Sequence, residues 1–141
     1  MAKATKLTDN PHARIYTTWL SLPAWRTLSP LARAALVHIL AHYRPSNPYA
    51  CWPTRRLGDE IGCSKSAAAE ALELLEDRGW LVAVKRGRRG VRAATTYRLT
   101  MFPDPDDRSP ASRDYTRWEP LPSRRRKPRL QSATADATVR N

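Results

Sequence analysis

The stretch GCSKSAAAEALELLEDRGW, residues 62–80, decides how the chain is read. Gly62 suits the left-handed end of one helix, and Ser64 can cap the start of the next almost at once. Beyond Ser64, Ala68, Ala71, Leu72 and Leu75 recur at helical spacing and mark an inward face. Gly79 ends the run. The outward positions are Lys65, Ser66, Ala69, Glu70 and Glu73, and Lys65 is the only cation among them. Lys65 and Ser66 lie in the first turn, where the free amides of a helix start can meet a phosphate. Glu76 and Asp77 follow near the C-terminal end. Acids there oppose the helix dipole, and the sequence offers no reason for them.

Working outward, Thr54 is expected to cap a short preceding helix, RRLGDEI, opened by Arg55 and Arg56. Two helices that cross over so short a turn need small residues where they approach, and Gly58 and Ala71 meet that need. Further upstream, SPLARAALVHILAHY (29–43) reads as a helix. Ser29 serves as cap, Pro30 takes the first helical position, and Leu31, Ala35, Leu36, Ile39, Leu40 and Tyr43 form one face. YACW (49–52) is a short strand candidate. After Gly79, WLVAVKR and ATTYRLT are two strands rich in Val, Thr, Trp and Tyr. Between them lies the basic, glycine-bounded tip GRRGVR (87–92).

Helix, short strand, helix, tight turn, helix and two-stranded hairpin is the order of a winged helix. The expected fold is therefore α+β, mostly α: a winged helix-turn-helix with a three-helix core and a two- or three-stranded wing. Residues 1–14 read as a flexible N-terminus and 15–100 as the DNA-binding domain. Residues 101–141 read as a Pro/Arg-rich tail, largely disordered or docked only in places.

LPAWRTLSPLARAAL (22–36), LGDEIGCSKSAAAEALELLEDRGWL (57–81) and AATTYRLT (93–100) resemble, in that order, bacterial winged helix-turn-helix proteins of phage, plasmid and other mobile-element genes. The central block is also similar to regulators of the GntR and MarR kind. The resemblance implies that the third helix lies in the major groove and the wing on an adjacent groove or backbone. This chain departs from the pattern in its recognition helix, which carries SKSAAAEA where relatives often carry Arg or Gln.

Charge supports the same partner. The chain has 141 residues, with 25 Lys plus Arg against 13 Asp plus Glu, for a formal net charge of +12. Its pI is near 10.7. Such a balance favours a polyanion. No long apolar run spans a bilayer, so double-stranded DNA is the expected partner rather than a membrane. No signal-like apolar segment opens the chain, and a cytoplasmic protein, nucleoid-associated when bound to DNA, is expected. The candidate DNA-binding residues are Thr54, Arg55, Arg56, Ser64, Lys65, Ser66, Ala69, Glu70, Lys85, Arg86, Arg88, Arg89 and Arg92. Ala69 could touch a thymine methyl and Glu70 could accept from a cytosine amino group, while the basic flanks carry most of the binding. Arg124, Arg125, Arg126, Lys127 and Arg129 form a second basic cluster in the tail.

Other chemistry finds little support. His38 and His42 have metal-ligand spacing but no evident third ligand. Cys51 and Cys63 lack paired zinc spacing. Trp19, Trp25, Trp52 and Trp80 read as core, and Tyr115 and Trp118 could dock on the domain or on a partner. No catalytic set, cofactor motif or metal site is visible, and the chain reads as a non-enzyme. The leading function is a sequence-specific transcriptional regulator, with a homodimer possible. The alternatives are a plasmid or phage replication-initiation or recombination accessory protein, and a protein–protein adaptor that binds no DNA.

Overall fold

A computed structural model describes residues 12–88 and 94–122. A 3-10 turn, Thr17–Ser21, and a short helix α1, Pro23–Arg26, lead into α2, Pro30–His42. Then come β1, Tyr49–Cys51; α3, Thr54–Ile61; α4, Lys65–Asp77; β2, Leu81–Lys85; and β3, Thr96–Leu99. A second 3-10 turn, Asp114–Thr116, follows. The strands form an antiparallel three-stranded sheet in the order β1-β3-β2, with Tyr49 opposite Arg98 and Leu81 opposite Leu99. Helices α2, α3 and α4 pack together, and the β2–β3 hairpin follows α4 as the wing. This is the α+β, mostly helical, winged helix-turn-helix order that the sequence leads one to expect.

Local chemistry explains most of the boundaries. The Ser29 hydroxyl accepts from the Ala32 N–H at 3.1 Å, and Pro30 begins α2. The Ser64 hydroxyl accepts from the Ala67 N–H, also at 3.1 Å, and begins α4. Each satisfies an amide that the first turn leaves without a helical partner. Gly62 closes α3 at φ 76°, where a side chain would be strained. Thr54 departs from expectation, because it is the first residue of α3 and not its cap. Pro53, extended at φ −56° and ψ 134°, stands before it with no side-chain cap bond. The proline ring itself fixes the angle at which the chain enters the helix.

The turn between α3 and α4 admits no side chain at Gly58. A Cβ there would lie 2.7 Å from the Cys63 carbonyl oxygen and 3.1 Å from that of Ser64. Both obstacles are backbone, so neither can swing aside. Ala68, Ala71, Leu72 and Leu75 are buried on the inner face of α4, as their spacing implies.

The core does not end where the composition changes at residue 100. Tyr115 is buried and stacks on Trp80 with ring centroids 4.1 Å apart and planes 4° apart. The Thr100 carbonyl accepts from the Arg113 N–H at 2.9 Å. Phe102 stacks on Tyr43 at 3.8 Å, and Arg98 pairs with Asp104 at 3.4 Å. Trp118 receives the Arg78 guanidinium 4.3 Å above its ring. Composition suggested a loose tail docked only in places; of the two docking alternatives for Tyr115 and Trp118, the domain is where they pack, and they bury enough apolar surface to fix this segment. The tail's second basic cluster, Arg124 to Arg129, lies outside the described residues, as do residues 1–11.

Gly58→Ala should destabilise the protein by about 1–3 kcal/mol despite alanine's higher helix propensity, because overpacking against fixed backbone outweighs that gain. Tyr115→Ala should cost about 3–5 kcal/mol, as for other large buried aromatics. Chemical denaturation measures both. A Tyr115→Ala protein as stable as the parent would mean the segment after β3 is not part of the core.

Candidate nucleic-acid interface

The candidate interface is built from the amino ends of α3 and α4 and the stem of the wing. Lys65 and Ser66 are exposed in the first turn of α4. Ser64 is exposed as well, with its hydroxyl committed to the cap bond. Ala69 is half-buried and Glu70 exposed, so the surface of α4 past its first turn is slim. Arg55 and Arg56 are exposed in the first turn of α3. The Arg56 guanidinium lies 5.0 Å from the centroid of the Trp52 ring. That contact holds the long side chain near the surface while leaving its N–H groups available. Thr54 is half-buried beside them.

In the wing, Lys85, Arg86 and Arg88 are all exposed. The pairing of β2 with β3 slips between Ala83 and Lys85, which turns Val84 outward at 48% exposure. Past the strand end, the Gly87 N–H donates to the Thr95 hydroxyl at 3.1 Å and ties the stem together. Arg89 and Arg92 lie outside the described residues. Arg86 turns back instead of outward: both of its terminal nitrogens bond the Glu76 carboxylate, one at 3.0 Å. This contact raises the Arg86 pKa through the hydrogen bond first and charge second. Arg78 likewise pairs with Asp77. The acids at the end of α4 thus have partners, and Glu76 links α4 to the wing.

Among the described residues, Lys65, Arg55, Arg56, Lys85 and Arg88 make no salt bridge. The structure therefore sorts the expected cations: these stay free for an external anion, while Arg86 is engaged from within. A carboxylate ten residues upstream of Arg86 lay beyond the reach of local spacing rules. The two charges flanking a strand were its only sequence signal.

His38 and His42 frame Trp52, with ring centroids 4.7 and 5.1 Å from it. Burial first and His42 second hold the His38 pKa below its ordinary value. No group of three or more His, Cys, Asp or Glu that could hold a metal occurs among the described residues. No helix among them is long and apolar enough to cross a membrane.

No protein-family model matches the chain, and no curated protein matches it. The resemblance to GntR- and MarR-type regulators therefore rests on the helix-turn-helix string alone. Among solved structures, the chain is similar to one described as an MDR initiator, with a TM-score of 0.45 and 12% identity over 61% of this chain and 73% of that one. It is also similar to a Rep–DNA complex, with a TM-score of 0.46 and 18% identity over 62% of this chain and 73% of that one. Neither superposition is close enough to transfer a role to any residue here.

If Glu76 anchors the wing to α4, Glu76→Gln should barely move the melting temperature. Amide exchange at residues 86–88 should quicken several-fold. Unchanged exchange there would mean the hairpin is held by its strand pairing alone.

Proposed function

We propose that the protein binds double-stranded DNA, with the start of α4 entering the major groove and the cations of α3 and the wing stem on the sugar-phosphate backbone. The observation that carries this reading is that Arg55, Arg56, Lys65, Lys85 and Arg88 are exposed and make no salt bridge among the described residues, on a winged helix-turn-helix. Phosphate contacts supply affinity and register, and base edges supply choice. On this helix, base reading falls to Lys65, Ser66, Ala69 and Glu70. Ala69 can meet a thymine methyl, and Glu70 can accept from a cytosine amino group. With short side chains at these places the helix can sit close to the bases, and most of the affinity comes from the flanks. In the sequence, Arg89 and Arg92 extend the same basic run.

The reading is one of binding without chemistry on the DNA. Duplex incubated with the protein and Mg²⁺ is expected to be recovered uncut. The module serves promoters and replication or recombination sites equally well, so the role is a question of address. Genomic fragments selected by the protein would place it at promoters, or at repeated sequences of an origin or attachment region.

Roughly five phosphate contacts should give a slope of about −4.5 for log affinity against log salt concentration. Fluorescence anisotropy with labelled duplex at several salt concentrations measures it. The double variant Arg55→Ala/Arg56→Ala should flatten the slope by about 1.8, nearly the same for every sequence. Lys65→Ala should instead change the ranking of sequences. A flat salt profile, together with no binding at low salt, would replace this reading with the protein–protein adaptor.

A further inference from the structure

The molecule carries a second candidate site, away from the DNA-facing residues. A cavity of about 610 Å³ opens between the N-terminal arm, the end of α2 and the segment after β3. None of its lining residues belongs to α3, α4 or β2. Its size falls within the ~300–1,000 Å³ of small-molecule sites. Tyr16, Trp19, Tyr43, Phe102 and Tyr115 give it aromatic walls. Tyr43 and Phe102 are stacked with their planes 5° apart. Flat aromatic surfaces of this kind favour a flat ring as occupant.

The polar side of the cavity is cationic. Arg14 comes from the arm and Arg113 from the far segment, and no Asp or Glu among the described residues lines the cavity. The Arg14 Nε donates to His12 at 3.3 Å, which leaves its terminal nitrogens for another acceptor. Arg113 makes no salt bridge among the described residues, whereas Arg117 nearby takes Asp114. Arg113 is also held in the left-handed region at φ 48° and ψ 44°, uncommon for a side-chain-bearing residue. Its N–H is fixed by the Thr100 carbonyl at 2.9 Å. Backbone outliers held by their surroundings cluster at ligand clamps. Two guanidinium groups from separate segments suit an anion with several acceptor oxygens, as phosphate has.

We propose that this cavity binds a planar aromatic ring carrying a phosphate, of mononucleotide size. The ring lies against the aromatic walls and the phosphate between Arg14 and Arg113. Isothermal titration of the full chain with adenosine 5′-monophosphate and with adenosine tests it. The monophosphate should bind at least about tenfold more tightly, as a charge-assisted hydrogen bond allows. Arg113→Asn removes the charge but tolerates the left-handed backbone. It should weaken the monophosphate about tenfold and leave both adenosine binding and duplex affinity unchanged. The Arg55→Ala/Arg56→Ala protein, impaired on the DNA face, should bind the monophosphate as the parent does. Equal affinity for both compounds, indifference to Arg113→Asn, loss of binding in the Arg55/Arg56 variant, or no heat at millimolar concentration would each overturn the assignment. None of these outcomes depends on whether the duplex binds.

Discussion

The arrangement of this molecule depends on the burial of one indole. Trp80 is fully buried between the end of α4 and the start of β2. Its Nε1 donates to the Ala24 carbonyl at 3.1 Å, which satisfies the one polar atom of the ring. Trp19 and Trp25 meet it edge-on at centroid distances of 5.1 and 6.0 Å, and Tyr115 covers its face. Its backbone carbonyl accepts from the Thr100 N–H at 3.1 Å, beside the far end of the hairpin. The residue that joins α4 to the wing is therefore anchored to the N-terminal helix, to the hairpin's return and to the segment beyond. An interface divided between α4 and the wing can act as one surface only if that joint is stiff.

Electrostatics then refines the surface that packing has placed. A basic hairpin would repel itself if every cation faced outward. Glu76 offsets part of that repulsion by taking Arg86, and in doing so it draws the wing stem toward α4. Asp77 and Arg78 form a neighbouring pair, with Arg78 also bonding the Thr27 hydroxyl at 2.9 Å and covering Trp118. The acids that oppose the dipole of α4 are thus part of its attachment to both sides of the molecule. A weak local penalty of this kind is readily offset by tertiary partners.

Much of this was legible in the chain, and the unreadable parts share a cause. Ser29, Pro30, Gly62 and Ser64 act within one turn of their own backbone, so their meaning survives without a structure. The inward face of α4 follows from periodicity for the same reason. The exposed positions of Lys65, Arg55 and Arg56 could be placed from the helix pattern. By contrast, Tyr115 reaches its stacking partner across the whole wing, and nothing in DRSPASRDYTRW specifies that contact locally. Gly79 shows both kinds of signal at once. As a helix stop at φ 81° it was plain, but a Cβ there would also lie 2.8 Å from the backbone of Asp114 and Tyr115. The second reason becomes visible only with the far segment in place. Thr54 misled because hydroxyl residues so often cap helices, while Pro53 already set the entry angle.

The same joint connects the two candidate sites. Tyr115 presents one part of its ring to the cavity and stacks on Trp80 with another. Trp80 in turn immediately precedes β2, the strand that ends at Lys85. An occupant of the cavity that presses on Tyr115 acts on a closely packed stack, and such interiors transmit displacement because they have few voids to absorb it. The effect on the candidate interface would be one of angle, since Arg55, Arg56, Lys65, Lys85 and Arg88 do not line the cavity. Coupling of this sort requires the occupant to favour one position of the stack over another. The left-handed Arg113, two residues before Tyr115 and hydrogen-bonded to Thr100, is the point where binding energy at the cavity would enter that stack.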